Sequence, residues 1–219
     1  MTDQQKVPKR IAQTVLNSLK GGVVPRIGLP YITVGRKNEI AALLRDVDII
    51  AEGGASFRFI VGRYGSGKSF LLQTIRNYVM ERGFIVADAD LSPERRLQGT
   101  HGQGLATYRE LIGNLSTKTR PEGGALTLVL DRWISAVQSE AMRETGLSAE
   151  DPALAAATDR KIFAVTASVS ELVHGFEFGR LLSAYYRAYV NGDDDMKGKV
   201  LRWFRGEYTL KSEAREALG

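Results

Sequence analysis

The eight residues Gly62-Arg63-Tyr64-Gly65-Ser66-Gly67-Lys68-Ser69 fit the spacing G-x-x-x-x-G-K-[ST] at every position. Each residue type there has a chemical task. The glycines let the backbone wrap a phosphate with its N–H groups turned inward. A helix starting near Lys68 adds the positive end of its dipole. The Lys68 ammonium would reach the β- and γ-phosphates, and the Ser69 hydroxyl would ligate Mg²⁺. The expected nucleotide-binding set is therefore Gly62, Arg63, Tyr64, Gly65, Ser66, Gly67, Lys68, Ser69 and Phe70, with ATP or ADP and Mg²⁺ as the bound species.

Hydrolysis would need a further carboxylate directed at Mg²⁺, set at the end of a strand. Two apolar runs end in Asp. In Phe84-Ile85-Val86-Ala87-Asp88 the carboxylate sits at an expected strand end. Asp88 is accordingly the candidate catalytic partner of Lys68. The competing reading is that Asp88 and Asp90 only shape the exit from the strand. In Leu126–Asp131 the apolar positions continue through Trp133, Ile134 and Val137 at helical spacing, which puts Asp131 on the polar face of a helix instead. Three other groups have ordinary readings beside their chemical ones. Asp193-Asp194-Asp195 after Asn191-Gly192 reads as a solvated turn. Arg95-Arg96 reads as a surface helix start, and Tyr185, Tyr186, Tyr189, Trp203 and Phe204 read as core at helical spacing rather than as base-stacking groups. His101 reads as a loop residue and His174 as a helix end.

The elements that must hold the loop follow from periodicity. Residues 6–20 and 37–51 carry apolar stripes of helical spacing. Ser56–Val61 and 84–90 are β-rich and predict strands on either side of the loop and its helix. That order, strand–loop–helix–strand, predicts an α/β fold: a P-loop NTPase core with a parallel sheet, incomplete, followed by a large helical segment. Helices are expected near 103–116, 124–143, 158–173, 175–190 and 195–205. The expected organisation is a core over residues 1–99 and a mainly helical segment over 100–219.

Composition narrows the setting. There are no cysteines and two histidines among 219 residues. Disulfides and cysteine-based metal sites are excluded, and a reducing cytoplasm fits. The first residues lack an apolar signal-peptide core, and no apolar run approaches a membrane span. A net charge of +5 permits contact with DNA without requiring it.

Ile32-Thr33-Val34-Gly35-Arg36-Lys37-Asn38-Glu39-Ile40 resembles the entry segment of AAA+ and STAND-type ATPases. That resemblance implies a base pocket lined by Val34, Gly35 and Arg36, helped by Val24 and Pro25. GGVVPRIGLPYITVGRKNEI, FIVGRYGSGKSFLL, GLATYRELIGNLS and VLRWFRGEYTLKSEAREALG together resemble the ATP-binding P-loop proteins of bacteriophage-exclusion (BREX) defence systems, over nearly the whole chain. The implied function is an AAA+-like ATPase switch or motor in anti-phage defence, working with other defence proteins, and the resemblance carries the expectation of a homo-oligomer. In that family the P-loop core continues past a segment like the last one quoted. The resemblance thus implies an N-terminal portion that binds ATP and hydrolyses it poorly. The alternative is a small-molecule or nucleotide kinase that uses Asp88 or Asp90 to receive a hydroxyl proton and Arg95-Arg96 as a lid. A third reading is a scaffold that binds ATP to hold its shape.

Overall fold

Apolar residues recurring every three or four positions bury best as helices that pack on one another, and most of this chain follows that rule. The computed structural model describes residues 7–98, 102–170, 175–208 and 210–218. The helices are α1 (Lys9–Lys20), α2 (Leu29–Ile32), α3 (Lys37–Ala51), α4 (Lys68–Glu81), α5 (Gln103–Gly113), α6 (Leu126–Thr145), α7 (Leu154–Ser170), α8 (Gly175–Asn191), α9 (Asp194–Phe204) and α10 (Lys211–Leu218). The expectations for His101 and His174 lie outside the described residues.

The chain divides into two compact units, Met1–Val86 with Thr117–Pro121, and Ala87–Ser116 with Glu122–Gly219. In the first, α3 and the short α2 pack on α4. Leu29, Val47, Leu71, Thr74 and Met80 are buried there. Buried Arg76 donates through Nη2 to the Pro121 carbonyl at 2.6 Å. In the second unit, α6 packs on α7, α7 on α8, α8 on α9 and α9 on α10. Its core gathers Leu130, Ile134 and Val137 of α6, Ile162 of α7, Leu182, Tyr185 and Tyr186 of α8, and Val200 and Phe204 of α9.

The expected parallel sheet is not there. The described residues contain no strand, and the fold is helical. Residues 54–63 have no regular secondary structure, and Phe57, Phe59 and Val61 are 79%, 83% and 92% exposed. A buried strand would have covered those side chains. The physical reason lies in pairing. Parallel strands are stable when buried on both faces with several neighbours. This chain offers two short β-rich runs, and its remaining apolar residues are spent on helix faces. The run at 56–61 keeps its backbone solvated instead of laddered.

Arg95 also departs from the helix start read from sequence. Ser92 and Arg95 face each other in a tight turn, with backbone N–H groups donating both ways, Ser92 N to Arg95 O at 3.2 Å and the reverse at 3.0 Å.

Candidate phosphate-binding loop

The loop at residues 62–69 is built without a strand beneath it. Its geometry comes from three local devices. Gly65 and Gly67 have φ of 76° and 81°, a backbone region open to glycine at little cost. The Ser66 N–H donates to the Arg63 carbonyl at 3.1 Å, closing a turn. The Lys68 ammonium, half-buried, then reaches back to the carbonyls of Gly62 at 2.9 Å and Arg63 at 3.0 Å.

A side chain at two of these glycines would displace a neighbouring side chain. A Cβ at Gly62 would lie 2.6 Å from Ser66 Oγ, and one at Gly67 would lie 2.8 Å from Arg36 Nη2. Gly67 is also the residue that precedes α4, and no side chain caps that helix. The N–H groups of its first turn, with the helix dipole behind them, point to where an anion is stabilised. Ser69, in that first turn, is exposed, and Tyr64 is fully exposed at the loop tip.

Helix α3 is the strut that positions the loop. At its start, the Arg36 guanidinium donates through Nη2 to the Ser66 carbonyl. Along it, Asp46 accepts from Arg58 through both carboxylate oxygens, with Nη2 to Oδ1 at 3.0 Å, and so ties the segment before the loop. The hydrogen bond from Arg58 holds the Asp46 carboxyl below its ordinary pKa. Asp48 accepts from Arg82 Nη2 at 2.7 Å, beyond the end of α4. Three anchors thus fix the residues before, within and after the loop–helix element.

The structure brings Arg36 onto the loop with Gly62, Arg63, Ser66, Gly67 and Lys68. Val34 and Gly35 precede it in sequence, and Val34 is largely exposed. Pro25 is fully buried in the first unit. Asp88 belongs to the second unit, where its carbonyl accepts from Asn114 Nδ2 at 2.9 Å. Arg95 is held there by Glu110, at 2.6 Å, and by the Asp90 carbonyl, at 3.1 Å.

The remaining sequence candidates have structural tasks. Asp131 lies on α6, accepting from the Tyr185 hydroxyl at 2.6 Å and pairing with Lys197 at 3.0 Å. Tyr185 and Tyr186 are buried and present no face for a base. Asp193 caps α9 by accepting from the Met196 N–H at 2.9 Å, and Asp195 pairs with Lys199 at 2.7 Å. Among the described residues no group of three acidic or histidine side chains is placed to hold a metal, and no helix is long and apolar enough to cross a membrane.

Charge separates the two units. The first holds 15 Lys and Arg against 6 Asp and Glu, a surplus of +9; the second holds 15 against 19, or −4. An anionic ligand is therefore favoured by the unit that carries the loop.

Sequence comparison adds a family. The family described as "BREX system ATP-binding protein BrxC/D" matches residues 7–219. No curated protein and no solved structure matches.

Proposed function

The chain belongs to the BREX system ATP-binding protein BrxC/D family, and from that premise we propose that it binds ATP through Gly62–Ser69 and supplies nucleotide binding to a BREX defence system. The observation that carries this reading is the Lys68 ammonium, held at the mouth of an uncapped helix by a loop with glycine at both of its positive-φ positions, 65 and 67. A triphosphate fits this donor set. Phosphate oxygens would take the Lys68 ammonium in exchange for the carbonyls it now meets, so that the ammonium pairs with charged acceptors instead of neutral ones. The first-turn N–H groups of α4 would supply neutral donors.

The exposed hydroxyl of Ser69, in the first turn of α4, is the group that would ligate Mg²⁺. That ion would neutralise phosphate charge when bound. Val34 and Gly35 remain the proposed contacts of the base. The chain's own contribution is binding and orientation. No hydrolytic step is assigned to Asp88.

Hydrogen exchange locates the ligand. Added Mg-ATP should slow exchange of the amides at 65–71 more than any others. Protection confined to residues 122–218 would remove the loop from the site.

A further inference from the structure

We propose that Arg36 is a positioning residue for the phosphates, acting by fixing the orientation of the Ser66–Gly67 peptide in the loop. This rests on the reading of Gly62–Ser69 as a triphosphate site and deepens it. The resemblance drawn from sequence places Arg36 at the base. Its contacts place its guanidinium on the phosphate loop.

The argument starts from peptide geometry. In a trans peptide the C=O and N–H point in opposite directions, and no described peptide is cis. The Ser66 carbonyl is turned toward Arg36 by the bond from Nη2. The Gly67 N–H is thereby turned to the other side of the loop, away from the guanidinium. Gly67 can hold that orientation because its φ of 81° is open to glycine. A Cβ there would lie 2.8 Å from Arg36 Nη2, so a larger residue at 67 would push the guanidinium off the Ser66 carbonyl.

Arg36 is well placed to keep this grip. Its own backbone opens α3, with its carbonyl accepting from the Ile40 N–H at 3.0 Å. Helix α3 packs on α4, and Arg58–Asp46 and Arg82–Asp48 tie the flanks of the loop–helix element to that same helix. The guanidinium therefore approaches the loop from a rigid base. Its planar fork and permanent charge suit a directed bond to a carbonyl better than a lysine would. A peptide whose N–H is already oriented need not be reoriented when phosphate binds, which lowers the cost of binding.

The test compares ATP with inorganic triphosphate, both with Mg²⁺, by calorimetry on the full chain. Arg36→Ala should weaken both ligands by a similar factor, on the order of tenfold, the scale of one charged hydrogen bond. Millimolar guanidinium should restore part of the loss in Arg36→Ala and nothing in the wild type. A merely structural role would give no such rescue. Loss of ATP binding with triphosphate spared would return Arg36 to the base and overturn the inference. Unchanged binding of both ligands, or equal losses without rescue, would overturn it too. If Arg36→Ala does not fold, Arg36→Lys carries the comparison: a smaller but equal loss for the two ligands is expected, and a loss confined to ATP overturns the inference. A wild type that binds neither ligand would sink the triphosphate reading itself, and the role of Arg36 with it.

Discussion

The Lys68 ammonium donates to the carbonyl oxygen of Gly62 at 2.9 Å, joining the first residue of α4 to the first residue of the loop that leads into it. A loop closed in this way keeps its shape by its own side chain rather than by a strand. The six-residue span is short, so little chain entropy opposes closure. The same ammonium is the group with most to offer a phosphate. The loop is thus held shut by the side chain that its ligand would engage.

Because residues 56–61 stay solvated, their aromatic side chains contribute little to stability. Phe57 and Phe59 meet edge to face, with centroids 4.9 Å apart, but both are exposed. Phe59→Ser should shift the denaturation free energy by less than ~1 kcal/mol, the range of ordinary surface changes. A loss of ~3–5 kcal/mol, the cost of truncating a buried aromatic, would mean that this segment is packed in solution.

Alkaline stability should depend on Tyr185. Burial, reinforced by the bond to Asp131, raises its phenol pKa above the ordinary 10.0. A group raised in the folded state stabilises fully below the unfolded value, about pH 10, and loses that contribution as pH climbs above it. Urea midpoints taken from pH 8 to 11.5 should therefore fall above about pH 10, and less steeply in Tyr185→Phe. Parallel curves for the two proteins would show that Tyr185 ionises freely.

Much of the helical part is legible in the sequence. The stripe Ile40, Leu43, Leu44, Val47 predicts a helix over 37–51, and α3 covers Lys37–Ala51. The helical reading of Asp131 holds for the same reason, since Leu130, Ile134 and Val137 line one buried face of α6. What failed depends on partners far along the chain. Phe57, Phe59, Ile60 and Val61 have strand composition, but a strand exists only when another pairs with it, and composition cannot supply the partner. The four-residue α2 hides in a Pro/Gly-rich stretch that reads as loop, with Pro30 admitted in its first turn. The seat of Arg36 on Ser66 spans thirty residues, and no local pattern encodes it. A sharper signal was available at Arg95: Ser92-Pro93 favours a turn, and a turn is what forms.

Ser69 should matter only when metal is present. If its hydroxyl ligates Mg²⁺, Ser69→Ala should leave the affinity for metal-free ATP within about twofold while removing most of the gain on adding Mg²⁺, a loss of roughly 1 kcal/mol or more for one ligand group. Titrations with EDTA and with Mg²⁺ separate the two. Equal losses under both conditions would point to disturbance of α4 rather than to a metal contact.

The central claim is that this loop holds the triphosphate, and Lys68→Ala tests it most directly. Alanine is a good helix former at the start of α4, so the helical circular dichroism should be kept. The lost ammonium contact is worth about 1.5–3 kcal/mol. Calorimetry of Mg-ATP binding to the wild type and to Lys68→Ala should therefore show an affinity at least about tenfold weaker in the variant. Identical affinities in two equally folded proteins would contradict the account and place the nucleotide elsewhere.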